Sequence, residues 1–172
     1  MCEMTKKLSI ICLLTLIVSC VKEDPKDHIQ PGESLPSFST VTMSGERASN
    51  KTLAGKPSLI IIFTTVCPDC QRQMPEIQAA YEESGGRVNF LAINRGEDIR
   101  TVQKHMEENG YTIPAVAEGD RYLYNLFDRG SMSGVPQIYI SDKDGIVRHY
   151  HDDTRTIPAA EIIKEIKSLS VK

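Results

Sequence analysis

The chain has 172 residues and a formal net charge of −3, from 20 Lys+Arg against 23 Asp+Glu, with 40% hydrophobic and 25% charged residues. That balance fits one globular domain with short extras and excludes collagen-like, coiled-coil and disordered classes. A slightly acidic chain with no Trp and 6% aromatics argues against a nucleic-acid partner, which calls for a basic field and stacking platforms.

The chain opens on Lys6-Lys7 and an apolar stretch, Leu8 to Val18. It is shorter than the roughly 18 residues of a membrane-spanning helix and reads as a secretory signal. It ends in Ile17-Val18-Ser19-Cys20, which resembles a bacterial lipobox. That resemblance implies cleavage before Cys20, lipid on the Cys20 thiol and a membrane anchor. Each buried CH₂ of an acyl chain contributes about 0.8 kcal/mol. An ordinary signal with an incidental Cys is the alternative. Residues 1–19 are expected to be signal peptide, 20–35 the lipidated Cys and a flexible tether, and 36–172 the folded domain. Val21 to Asp27 is charged and has little to bury. Its Cys-x-Lys-Glu-Asp order resembles export signals of surface lipoproteins in Bacteroidetes-type bacteria; a plain polar spacer fits as well. Position 21 is Val, not the Asp that resembles an inner-membrane retention signal. The expected location is the bacterial cell envelope, at the outer membrane facing the periplasm or at the cell surface.

Of five Cys, Cys2 and Cys12 leave with the signal and Cys20 takes lipid. Cys67 and Cys70 remain, three apart, and a loop that small adds little stability as a staple. In an oxidising compartment such a pair serves chemistry or a metal.

Phe38 to Ala48 reads as a hairpin. Leu59 to Phe63 is a continuous apolar run, the mark of a strand buried on both faces. Cys67-Pro68-Asp69-Cys70 then starts a helix to about Glu83, bent at Pro75 and stopped at Gly85-Gly86. Val88 to Ile93 is a second buried strand. Asp98 to Glu108 is a helix with Ile99, Val102 and Met106 on its inner face. A short strand, Ile113 to Ala117, precedes a helix from Asp120 to Phe127 with Tyr122-Leu123 and Leu126-Phe127 inward. Gln137 to Ile140 and Ile146 to Tyr150 are strands joined through Asp144-Gly145. A helix from Pro158 to Leu169 buries Ile162, Ile163, Ile166 and Leu169. The alternation predicts an α/β fold with parallel central strands and a terminal antiparallel pair.

A helix N-terminus presents free N–H groups and partial positive charge, so a thiolate there is stabilised. Cys67 at that tip is expected to be the exposed attacking thiol, with Pro68 and Asp69 tuning it. Cys70, one turn in, is expected to be shielded and to resolve the mixed disulfide. Far along the chain, Val135-Pro136 opens a strand, and a cis peptide is expected there.

The strand, Cys-Pro-Asp-Cys, helix, the later Pro and the ββα ending together resemble the thioredoxin fold, over roughly residues 36–170. The leading hairpin, the inserted αβ unit and the Asp-Lys-Asp-Gly turn resemble its TlpA/ResA branch of envelope thiol–disulfide oxidoreductases. The resemblance implies a central mixed sheet flanked by helices. It implies Cys67 as nucleophile, Cys70 as resolving thiol, and Val135 and Pro136 as the substrate-binding edge. It implies disulfides of exported proteins as substrates, reduction as the direction, cytochrome c maturation as a context and a membrane-bound redox partner. No cofactor, no metal and no nucleic acid are expected, and the chain is expected to be a monomer.

Three positions depart from that pattern. Val66 stands where the family usually has Trp, Ile61 where many thioredoxins bury an acid, and Gln73 where the ResA type has Glu. The proton carrier is then water or an acid elsewhere, with Glu76 and Asp69 near in sequence. Two other readings stay open: a redox-inert binding or adaptor lipoprotein, and a weak peroxide reductase. A zinc site is a further alternative for the cysteines, with His149 and His151 on one strand face as the nearest further ligands. These histidines are expected to face solvent, as are Arg95, Arg100, Arg121 and Arg129. Met132 is expected either to line the substrate groove or to fill space.

Overall fold

The computed structural model describes residues 28–117, 122–129 and 134–169. The signal, Cys20, the first part of the tether, Arg121 and Met132 lie outside them.

Five strands form the central sheet: β3 (Ser58–Phe63), β4 (Asn89–Asn94), β5 (Ala115–Val116), β6 (Gln137–Ser141) and β7 (Val147–His151). Their order is β5-β4-β3-β6-β7. β3, β4 and β5 run parallel, while β6 and β7 are antiparallel additions. All six residues of β3 are buried, as its unbroken apolar run predicts. Strand alternation then divides the core. Leu59, Ile61 and Phe63 face α2 (Pro68–Ser84), α3 (Ile99–Glu108) and α5 (Ala159–Leu169). Ile60 and Ile62 face α4 (Tyr122–Asp128) and the N-terminal layer of β1 (Ser39–Val41), β2 (Arg47–Ser49) and α1 (Asn50–Leu53).

The expected hairpin is present, with Ser39 opposite Ser49. The short helix α1 was not expected; Ser49 caps it, its hydroxyl accepting from the Thr52 amide. α2 continues through Pro75 and ends at Gly85, whose φ of 55° is left-handed. Two inward faces differ from expectation. Ile99 is exposed, in the first turn of α3, while Val102 and Met106 are buried. On α4 the buried tyrosine is Tyr124, and Tyr122 is exposed.

The folded domain begins earlier than predicted. Residues 28–35, expected as tether, lie on the domain: Ile29 and Leu35 are buried, and the amides of Ile29, Gly32 and Leu35 donate to Phe127, Val147 and Gly145. His28 stacks on Tyr150 with ring centroids 3.9 Å apart.

Candidate active site

The carboxyl ends of β3, β4 and β5, the amino end of β6 and the carboxyl end of β7 meet at one end of the sheet. There β3 passes through Thr64, Thr65 and Val66 into Cys67. Cys67 occupies the N-cap of α2 with an extended backbone, followed by Pro68 at the first helical position. Proline is well placed there, because its missing N–H would find no intrahelical acceptor. The half-exposed Cys67 thiol donates to the Val135 carbonyl, with Sγ 3.2 Å from the oxygen. The Val135–Pro136 peptide is cis, as the sequence predicts. Gln137 holds the same loop by donating from Nε2 to the Gly134 carbonyl.

Cys70 is a free thiol, 1% exposed, packed among Phe63, Met74 and Ile77. Burial pushes its pKa up, since a thiolate there would lose solvation. A backbone hydrogen bond from Thr64 acts the other way, favouring the thiolate; a hydrogen bond with Cys67 and the charge of Asp69 act with burial. Asp69, expected to tune the tip, is engaged by Arg72 on the next turn.

The three departures have structural consequences. Val66 is 77% exposed and provides no indole beside Cys67. Ile61 is wholly buried and apolar. Gln73, also buried, accepts from the Ile157 amide at 2.7 Å and donates to the Ile157 carbonyl at 3.0 Å. It therefore ties α2 to the segment entering α5. Glu76, considered as a proton carrier, accepts from the Ala159 amide at the start of α5.

A further carboxylate, not among the residues expected from the sequence, holds the segment that leads into Cys67. Glu97, in the loop after β4, accepts from the Thr65 amide at 2.8 Å and from the Thr65 hydroxyl at 2.6 Å. Asn94, at the end of β4, donates to the same carboxylate and accepts from the Glu97 amide. Asn94-x-x-Glu97 is a visible local signal, but its bond to Thr65 spans 32 residues and depends on β3 pairing with β4.

Several residues expected on solvated faces are held. Arg95 lies over the Tyr124 ring at 4.9 Å and within 3.8 Å of the buried Asp128 carboxylate. Arg129 pairs with Glu33. His151 and His149 turn toward Glu165 of α5, at 2.8 and 3.6 Å, rather than to solvent. Among the described residues no group of three or more His, Cys, Asp and Glu side chains is arranged to hold a metal.

Residues 31–150 match the family model described as AhpC/TSA. The chain belongs to that family. It is 28% identical over 134 residues to the thiol-disulfide oxidoreductase ResA of Geobacillus kaustophilus, covering 76% of this chain and 74% of that one. It is 31% identical over 122 residues to the thiol:disulfide interchange protein DsbE of Pseudomonas aeruginosa, covering 69% and 64%. A solved thiol:disulfide interchange protein from Chlorobium tepidum superposes with a TM-score of 0.70 at 24% identity, over 82% of this chain and 97% of that one. A secreted disulfide oxidoreductase of Mycobacterium tuberculosis gives 0.67 at 19%, over 77% and 96%. These likenesses agree on a thioredoxin-type fold. The curated relatives named above are a thiol-disulfide oxidoreductase and a thiol:disulfide interchange protein, the enzyme class in which this chain is placed.

Proposed function

We propose that this protein reduces disulfides of exported proteins through Cys67 and Cys70, anchored in the bacterial envelope by lipid on Cys20. The observation that carries the reading is the half-exposed Cys67 sulfur on a helix N-terminus, 3.2 Å from the Val135 carbonyl beside a cis-proline, with Cys70 buried behind it.

The chemistry balances as two exchanges. The Cys67 thiolate attacks one sulfur of a substrate cystine, and the other substrate sulfur leaves as a thiolate that takes up a proton. Cys70 then loses its proton and attacks Cys67, releasing the second substrate thiol and forming the Cys67–Cys70 disulfide. Two electrons pass to the substrate, and a membrane-bound dithiol partner returns them. Val135 and Pro136 present an edge along which an extended substrate segment lies, and apocytochromes c are among the substrates proposed. The proposed tether is a lipid at Cys20, a reading supported by the Ile17-Val18-Ser19-Cys20 order at the end of the apolar stretch.

Replacing Cys70 with Ser tests the reading. The Cys70→Ser chain should accumulate covalent adducts through Cys67 that a reducing agent releases, and Cys67→Ser should abolish them. Absence of adducts with any exported protein would leave a redox-inert adaptor. The reduction potential tests the direction: a value toward about −270 mV fits a reductase, one toward about −120 mV an oxidant.

A further inference from the structure

The loop that carries Val135 bears a charge that the dithiol chemistry leaves unused. β7 pairs with β6 as far as His151, which lies opposite Ile138, and the chain then runs on to Asp153. That brings Asp153 back over the residues that precede Pro136. A Cβ built on Gly134 would lie 2.5 Å from Asp153 Oδ2 and 3.6 Å from Oδ1. The carboxylate therefore rests on the bare Cα of Gly134. The next residue is Val135, whose carbonyl lies 3.2 Å from the Cys67 sulfur.

Glycine at 134 has no conformational cause, because its φ lies outside the left-handed region. What the missing side chain supplies is room for the carboxylate. The loop beneath is braced. Gln137 donates from Nε2 to the Gly134 carbonyl at 3.1 Å, and its Oε1 accepts from the Tyr139 hydroxyl at 2.7 Å. Gln137 and Tyr139 are both wholly buried, so the surface on which Asp153 sits is fixed.

The neighbouring carboxylates are engaged elsewhere. Arg72 takes Asp69, Thr65 and Asn94 take Glu97, and Asp152 accepts from the Thr154 amide at 3.0 Å. Arg155, the nearest Lys or Arg along the chain, pairs with Glu161. Asp153 is exposed, and among the described residues no cation pairs with it.

We propose that Asp153 selects substrates in which a Lys or Arg flanks the reacting cystine. An extended segment rises about 3.3 Å per residue. Laid along Gly134 and Val135 with its sulfur at Cys67, it brings a side chain one or two residues from that sulfur over Asp153. A cation there gains a partner, and an acidic side chain meets repulsion at the point of attack. Charge matching of this kind acts on encounter and register more than on bulk affinity. The proposal rests on the dithiol reading above and adds the substrate class: exported chains with a basic residue beside a disulfide.

The test uses cystine peptides alike except for Lys, Ala or Glu on both sides of each Cys. The second-order rate of mixed-disulfide formation is measured with the full-length chain by rapid quenching. Each rate is divided by that of dithiothreitol with the same peptide, which removes the effect of the flanking charge on the peptide sulfur itself. The parent is expected to prefer Lys over Glu about fivefold, the scale of exposed charge contacts, and added salt should shrink the preference. Asp153→Asn keeps the shape against Gly134 and should bring the ratio below about twofold, while Asp153→Lys should invert it. Asp144→Asn removes the same charge from the turn at the far end of the sheet and should keep the parent ratio. A parent ratio near one, a ratio that survives Asp153→Asn, or an equal fall in Asp144→Asn would overturn the role of Asp153 while leaving the dithiol chemistry intact. Equal slowing of all the peptides in Asp153→Asn leaves the ratio in place and overturns it too. If the parent forms no mixed disulfide with any of these peptides or with any exported protein, the proposed function itself fails, and the role of Asp153 with it.

Discussion

The two ends of the central sheet hold their polar atoms in different ways. Where β6 turns into β7, Asp142 accepts from the amides of Asp144 and Ile146 at 3.0 Å each and from Arg148 at 2.7 Å. Every partner of the Asp142 side chain lies within six residues, so that side chain shapes the turn locally, and the Gly55 and Leu35 amides then dock on it at Lys143 and Gly145. At the opposite end the partners arrive from far away. Cys67 meets Val135 across 68 residues, and Thr65 meets Glu97 across 32. That end exists only after β3 has paired with β4 and β6. Substitutions in the turn should therefore change stability alone, while those at the cysteine end should change redox behaviour as well.

The largest effect is expected at Gln73, which joins the cysteine helix to a segment 84 residues on. Gln73→Ala strands the buried amide and carbonyl of Ile157, and each unmade bond costs about 1–3 kcal/mol. A loss of about 2–4 kcal/mol is expected in urea unfolding. Because Gln73 lies one turn beyond Cys70, the reduction potential should shift too. A loss under about 0.5 kcal/mol would mean that the segment entering α5 holds itself, and the contrast between the ends would weaken.

Asp142→Ala should act at the other end and only on stability, by about 1–2 kcal/mol at neutral pH. Burial raises the Asp142 pKa, but the Ile146 amide, Arg148 and the Asp144 amide outweigh it, so the carboxyl stays below its usual range. A depressed carboxyl contributes stability above its unfolded value of about 3.9, and that stability is lost as pH falls through the lower folded value. The parent and Asp142→Ala should thus differ most near neutrality and converge in acid below about pH 4. Unfolding curves across that range check the sign, and an unchanged reduction potential checks the confinement.

The same contrast explains which parts were legible in the sequence. The runs Leu59–Phe63 and Val88–Ile93, the Asp144-Gly145 turn and the stripe Ile162, Ile163, Ile166 are local patterns, and each marks its element. The Cys-Pro-Asp-Cys tip was legible because Pro68 and the preceding apolar strand constrain it locally. Phase was harder in short helices. α4 has seven residues, and its buried set of Leu123, Tyr124, Phe127 and Asp128 is shifted by one position from the set that spacing suggested. Segment 28–35 has no periodicity at all, because backbone bonds to Phe127, Val147 and Gly145 hold it. Charges misled wherever a distant partner waited, as Glu165 does for His149 and His151. Glu97 is a further case: a loop carboxylate whose bonds to Thr65 form only once β4 lies beside β3.

The smallest expected effect sits beside the proposed substrate edge and separates stability from chemistry most sharply. A Cβ on Gly134 would lie 2.5 Å from Asp153 Oδ2, too close to stay. Gly134 does not occupy the left-handed region, so alanine carries no backbone strain there. The obstacle is the end of an exposed side chain, which can rotate into solvent. Gly134→Ala should therefore change unfolding free energy by no more than about 0.5 kcal/mol, as for a surface substitution. It should still displace the Asp153 carboxylate from the loop that carries Val135 and Pro136. If extended substrate lies along that edge, the rate of mixed-disulfide formation with a cystine peptide should change, and its dependence on peptide charge should change with it. Equal rates for Lys-flanked and Glu-flanked cystines, in parent and variant alike, would place substrate elsewhere and remove the charge of Asp153 from the description of the site.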